Sequence, residues 1–173
     1  MKAKVSIIVP VYNMEMYLNE CLDSLVNQTF KEIEIICFND ASTDRSLSIL
    51  QEFAKRDERV KIIDSKVNIK QGGGRNAGIR QSSTDKILFV DADDKVDSKM
   101  VEILYNAMID CNADIVVSEL YNWIPNNNNQ YQPDYVKISA SQIPNIQAVN
   151  KGGVYGRHTL YETSLYGKRF ILS

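Results

Sequence analysis

Asp91, Asp93 and Asp94 stand within four positions of one another, directly after the apolar run Lys86-Ile87-Leu88-Phe89-Val90. Aspartate is a poor strand residue and neighbouring carboxylates repel, so the cluster needs a reason beyond backbone structure. A hard divalent cation such as Mn²⁺ or Mg²⁺ supplies one, because it takes one or two carboxylates and completes its shell with phosphate and water. The simpler interpretation is a strand end followed by an Asp-rich turn and a helix cap. Asp94 and Asp97 suit that simpler role, whereas Asp91 and Asp93 together are the candidate metal ligands.

Two further strand-like runs end in equally polar residues. Val5–Val9 leads into Pro10-Val11-Tyr12-Asn13, and Glu32–Phe38 into Asn39-Asp40-Ala41-Ser42-Thr43-Asp44. In an open parallel sheet, ligands bind outside the carboxyl ends of the strands, so all three motifs converge on one edge. There Tyr12 can stack on a base, and Asp40 can accept a hydrogen bond from a ring N–H, which favours uracil. Gly72-Gly73-Gly74 reads as a loop with free backbone geometry, and Arg75 after it can reach a phosphate or the acidic site. No Gly-x-Gly-x-x-Gly follows the first strand and no Gly-x-x-x-x-Gly-Lys-Ser/Thr occurs, which argues against dinucleotide enzymes and P-loop NTPases.

The elements that must carry these residues alternate in type. A helix is expected from about Glu15 to Asn27 with Leu18, Cys21, Leu22 and Leu25 inward, and another from Thr43 or Asp44 to about Arg56 with Leu47, Leu50 and Ala54 on one side. Val60–Asp64 is a third strand, Arg75-Asn76-Ala77-Gly78 opens a short helix, and Lys86–Val90 is the fourth strand. Asp97 caps a long helix with Met100, Ile103, Leu104, Ala107, Met108 and Cys111 inward, and Ala113–Ser118 is a fifth strand. Strands and helices alternating in this way imply an α/β fold with a mostly parallel, doubly wound sheet. After Trp123 the pattern dissolves into a polar Asn126–Asn129 loop, a short helix within Gln142–Asn150, and an aromatic stretch from Val154 that should pack on something. The apolar ending Phe170-Ile171-Leu172-Ser173 reads as a chain cut before its natural end.

Composition sets outer bounds. The 173 residues suit one domain, and a net charge of -2 provides no general attraction for nucleic acid. Cys21, Cys37 and Cys111 are odd in number and lie in apolar stretches, as expected of reduced core cysteines in a cytoplasmic protein. The short run Val5–Val11 contains Pro10 and reads as a strand, not a signal peptide, and no stretch approaches the length of a membrane span.

Taken in order, Val5–Asn13, Asn39–Asp44, Gly74-Arg75-Asn76-Ala77-Gly78 and Phe89–Asp94 resemble the successive signatures of family 2 glycosyltransferases with the GT-A fold, over about Lys4 to Ser118. The resemblance implies a Rossmann-like three-layer α/β/α architecture. Residues 1–120 would be the nucleotide-sugar-binding core and 121–173 the start of an acceptor-side region. It implies that Pro10, Val11, Tyr12, Asn13, Asp40, Arg75, Asp91 and Ala92 surround the nucleotide sugar. Asp91 and Asp93 would form the Asp-x-Asp motif that binds Mn²⁺ or Mg²⁺. The implied reaction is inverting transfer from a nucleoside-diphosphate sugar, most often a UDP-sugar, to a saccharide or lipid-linked acceptor in bacterial surface-polysaccharide or glycoconjugate synthesis. The implied setting is the cytoplasm, with room for peripheral association at the inner face of the membrane.

Departures bear on the chemistry. The second motif commonly begins Asp-Asp-Gly, whereas Asn39 and Ala41 stand here, which leaves Asp40 as the base contact. The segment Val154–Leu165 is similar to a later stretch of capsule-type members, after which the family's catalytic base is expected, beyond Ser173. His158, the sole histidine, fits a structural role better than that of a substitute base. A donor-binding part without catalysis is one alternative. A metal-dependent nucleotidyltransferase is a second, although its Gly-rich loop after the first strand is missing. In a haloacid-dehalogenase-type phosphatase the Asp-x-Asp follows the first strand, with Thr or Val where Lys95 stands here.

Overall fold

Branched and aromatic residues build four neighbouring parallel strands: β1 (Val5–Val11), β2 (Ile33–Asp40), β3 (Val60–Ser65) and β4 (Lys86–Phe89). The computed structural model describes residues 2–117 and, beyond them, the backbone of short strands at 124–125, 131–132 and 159–162. Helices α1 (Leu18–Val26), α2 (Ser46–Arg56), α3 (Lys70–Gln81) and α4 (Met100–Asp110) alternate with the strands, followed by β5 (Ile115–Val117). Strands β6 (Ile124–Pro125) and β7 (Tyr131–Gln132) pair with each other, and β8 (Thr159–Glu162) joins the main sheet. The sheet order is β3-β2-β1-β4-β8-β5, with β8 antiparallel to both its neighbours. This is the mostly parallel α/β sheet that the alternation of elements implies. The insertion of β8 between β4 and β5 had no counterpart in the hydrophobic pattern.

Strand alternation divides the core in two. Ile7, Val9, Ile35, Cys37, Leu88 and Val90 pack with α1, α2 and α4. On the other face Ile8, Ile36, Ile87 and Phe89 form a smaller core with Ile79 of α3. These two cores make the three layers.

Several helical expectations need correction. The first helix begins at Leu18 rather than Glu15, although its buried set is Leu18, Cys21, Leu22 and Leu25 as expected. The inward side of α2 is Ser46, Ile49, Leu50 and Phe53, with Leu47 and Ala54 only half-buried. Helix α4 buries Met100, Val101, Leu104 and Met108, while Ile103 and Cys111 face solvent, so Cys111 is not a core cysteine. Helix α4 ends at Asp110, so Cys111 stands at its C-cap, outside the periodic face. Cys21 and Cys37 are buried, and burial pushes the Cys37 thiol up to about 12.

The largest correction concerns the glycines. Gly72, Gly73 and Gly74 lie inside the twelve-residue helix α3, not in a loop before it. Glycine costs a helix about 1 kcal/mol per residue, so the sequence argues against helix here. Close packing on the sheet offsets that cost. A Cβ at Gly74 would lie 2.8 Å from Phe38 Cδ1, and one at Gly78 would lie 2.4 Å from Ile8 Cγ2. The smallest side chain lets α3 settle directly on β1 and β2. The Asn126–Asn129 loop, the Gln142–Asn150 helix, His158 and the final Phe170–Ser173 lie outside the described residues.

The far end of α3 is fixed by a buried carboxylate. Glu34 of β2, only 3% exposed, accepts hydrogen bonds from Ser6 Oγ (2.5 Å), Ser83 N (2.7 Å), Ser83 Oγ (2.9 Å) and Lys61 Nζ (2.6 Å). Burial by itself would raise its pKa, but the bonds from Lys61, Ser6 and Ser83 outweigh that and hold it below the ordinary 4.5. A carboxylate lowered in the folded state stabilises fully above its unfolded pKa and loses that contribution as pH falls through the folded value. Thermal denaturation should therefore show stability dropping below pH 4.5, and Glu34→Gln should flatten that acid slope while being less stable at neutral pH. An unchanged slope in the variant would remove Glu34 from this role.

Candidate functional site

The carboxyl ends of β1, β2 and β4 meet at one edge of the sheet, as their parallel pairing requires. A cleft of about 370 Å³ opens there, lined by Pro10, Met14, Gln71, Asp91, Ala92 and Asp93. The first strand-end motif, the acidic turn and α3 are thereby brought together.

Two connecting loops are laced to each other. Asn13 N donates to Ser42 Oγ (3.1 Å), Thr43 N to Asn13 Oδ1 (2.8 Å) and Met14 N to Ser46 Oγ (2.9 Å). Asp44 accepts from Glu15 N (3.0 Å) and Ser46 N (2.9 Å), so it joins the loops and meets the first amide of α2, whose N-cap is Arg45 rather than the expected Thr43 or Asp44. Burial would raise the Asp44 pKa, but its hydrogen bonds from Ser46 and Glu15 prevail and lower it. Asn13 and Ala41 hold φ of 54° and 58°, and Lys70, at the start of α3, holds 66°. Left-handed backbone at a non-glycine residue costs of order 1 kcal/mol or more and clusters at functional sites. Three such residues ring this edge.

Tyr12, 47% exposed, presents its ring to solvent at the rim. Asp40 is buried, with Oδ1 accepting Ile69 N (2.6 Å), while Asn68 Nδ2 donates to the Asp40 carbonyl (3.2 Å). Val11 and Ala92 are buried, which leaves main-chain groups as their means of touching a ligand. Asn39 is buried too and donates to Asp64 Oδ1 (2.8 Å), so it faces β3 rather than the cleft.

The acidic turn has a built-in counter-charge. Arg75 Nη2 (2.7 Å) and Gln71 Nε2 (2.9 Å) both donate to Asp91 Oδ1, and the Arg75 guanidinium lies over the Phe89 ring at 5.4 Å. Asp93 is exposed, and carboxylate oxygens of Asp91, Asp93 and Asp94 all lie within 4.8 Å of one another. Hard oxygen donors this close suit Mg²⁺ or Mn²⁺, and the set extends to Asp94, which the sequence assigned to a simple turn. Beneath the turn, Cys21 Sγ donates to the Asp91 carbonyl at 3.6 Å. Burial, with Cys37 and the nearby carboxylates adding to it, pushes the Cys21 thiol far up and keeps it protonated.

Gln71 was missed because the glycines masked the helix. Read as helical, positions 71 and 75 are i and i+4 and share a face, which is how both reach one oxygen. Ser42 was visible only as a polar residue after a strand, and Ser46 only as a position within the expected second helix.

Comparison with known proteins adds an independent line. Residues 6–170 match the family model described as "Glycosyl transferase family 2". The chain is 42% identical over 120 residues to "Glycosyltransferase GlyA" of Streptococcus pneumoniae serotype 4, covering 69% of this chain and 17% of that protein. It is 44% identical over 120 residues to a poly(ribitol-phosphate) beta-glucosyltransferase of Bacillus spizizenii, covering 68% and 19% respectively. Among solved structures, S. aureus TarS 1-349 in complex with UDP-GlcNAc superposes with a TM-score of 0.72 at 25% identity, covering 95% of this chain and 46% of that one. The chain thus spans less than half the length of each of these relatives.

Proposed function

This chain belongs to glycosyl transferase family 2, and we propose that its described residues form the donor-binding part of a glycosyltransferase that uses a UDP-sugar. The observation that carries the reading is the convergence of Tyr12, Asp40 and the Asp91–Asp93 turn on one sheet edge, with Arg75 and Gln71 fixing Asp91 from α3. TarS, of the same fold, binds UDP and UDP-GlcNAc, which supports a uridine donor.

In this reading Tyr12 stacks on the base and the Asp40 carboxylate accepts from its ring N–H, while Pro10 lines the cleft and Val11 and Asn13 offer main-chain groups beside it. Asp91 and Asp93 hold Mn²⁺ or Mg²⁺, which when bound supplies charge neutralisation at the departing diphosphate. Arg75 orients Asp91 before the donor arrives, and its guanidinium adds positive charge beside the diphosphate. The sugar passes to an acceptor hydroxyl of a saccharide or lipid-linked molecule in bacterial surface-polymer synthesis, on the cytoplasmic side of the membrane. Residues 1–120 act as the donor core and 121–173 begin the acceptor side, although β8 from that later stretch is a strand of the central sheet. No helix among the described residues is long and apolar enough to cross a membrane.

Base recognition provides the test. Cytosine carries an acceptor nitrogen where uracil carries its ring N–H, so it lacks the partner assigned to Asp40, and a lost hydrogen bond at a buried carboxylate costs at least about 1.4 kcal/mol, or tenfold. UDP should bind at least about tenfold more tightly than CDP by competition titration, with Asp40→Asn narrowing the gap. Equal affinity for the two would remove uridine from the proposal.

A further inference from the structure

The polymer of hydrogen bonds beneath the acidic turn runs along α1. Asp91 O accepts from Cys21 Sγ, and Val96 N donates to Ser24 Oγ (3.2 Å). Gln28 Nε2 donates to Asp97 O (2.7 Å), Gln28 Oε1 accepts Val101 N (3.0 Å), and Thr29 N donates to Ser98 O (2.8 Å). Segment 91–101 is therefore tied to α1 and its C-terminal extension at five points along its length.

Gln28 is the anomalous member. It is 0% exposed, in a position continuing the buried face of Cys21 and Leu25, where an aliphatic residue would bury at no polar cost. An amide survives there because its polar atoms are satisfied, Nε2 donating also to Ser24 O at 3.0 Å. Val101 N lies in the first turn of α4, where backbone donors lack intrahelical partners, so Gln28 caps α4 from another element. It thereby sets where α4 begins, and with it the span left to the Asp91–Asp94 turn.

We propose that Gln28 is a positioning residue for the cation-dependent donor site: without touching ion or nucleotide, it fixes the backbone that presents Asp91 and Asp93. This rests on the reading of that turn given above. Residues that hydrogen-bond metal ligands directly change affinity by about 10–100-fold when replaced. Gln28 acts one step further out, through Asp97 and Val101, which places it at the lower end of that range. Gln28→Met preserves length and apolar packing but removes the bonds to Asp97 and Val101.

The test compares two binding constants on the same chain: Mn²⁺-dependent UDP binding by calorimetry, and metal-free uridine binding by NMR, which reads Tyr12 and Asp40 alone. Gln28→Met should weaken UDP in Mn²⁺ by about tenfold or more and leave uridine unchanged. Unchanged UDP binding overturns the proposal, and so does parallel loss of uridine, which marks a purely structural residue. Should Gln28→Met fail to fold, Ser24→Ala takes its place, removing the Val96 tether with a smaller loss of the same selective kind; equal retention of both ligands then overturns the proposal. Wild-type binding of UDP that ignores Mn²⁺ refutes the underlying site reading, and this inference with it, before any variant is made.

Discussion

Asp93→Asn should reduce the affinity for UDP in Mn²⁺ on the order of 10²-fold while leaving metal-free uridine binding intact. Asp93 is the exposed carboxylate of the cluster, whereas Asp91 already spends one oxygen on Gln71 and Arg75. The replacement keeps shape and polarity and removes one negative charge. Asparagine still offers an oxygen, but a neutral one in place of a charge facing a divalent ion is worth several kcal/mol at a partly desolvated site. A loss of that size corresponds to two or more factors of ten. Calorimetry with and without Mn²⁺ reads it directly. If the variant binds UDP as tightly as the wild type, Asp93 is not a ligand.

The second large effect is on the fold. Gly78→Val should destabilise the chain by about 3 kcal/mol or more, since even a Cβ at this position would sit 2.4 Å from Ile8 Cγ2. Ile8 is fully buried in the middle of β1 and cannot swing away, so α3 must lift from the sheet. Helix α3 also carries Gln71 and Arg75 to Asp91, so donor affinity should fall together with stability. Urea denaturation of the two chains, followed by UDP titration of whatever folded variant remains, measures both. A stability loss below about 1 kcal/mol would show that the sheet yields to a larger residue here.

The particular residues explain what could and could not be seen in the sequence. Strand-end motifs were legible because parallel strands must present their carboxyl ends on one edge, so Tyr12, Asp40 and Asp91–Asp93 could be placed together without knowing a single distance. Their burial pattern was legible for α1, where Leu18, Cys21, Leu22 and Leu25 keep the helical period to the end. The period misled at Ile103 and Cys111, where apolar type did not coincide with the buried face of α4.

Helix α3 was hidden for a stronger reason. Its glycines oppose helix formation locally and are justified only by contact with Phe38 and Ile8, residues distant in sequence. Hiding the helix hid Gln71, whose relation to Arg75 exists only at helical spacing. Gln28 was equally silent, because a polar residue after a helix reads as an exposed terminus and its partners are backbone groups of Asp97 and Val101. Likewise β8 takes its place between β4 and β5 by pairing across the chain, which no local pattern encodes.

The central claim is that this sheet edge is a cation-dependent uridine diphosphate site. Calorimetric titration of the wild-type chain with UDP, in Mn²⁺ and again in chelator, tests it most directly. The account predicts saturable 1:1 binding in Mn²⁺ that weakens by about tenfold or more when the ion is removed. Binding of equal strength in both conditions would contradict it, because Asp91 and Asp93 would then have no part in holding the diphosphate.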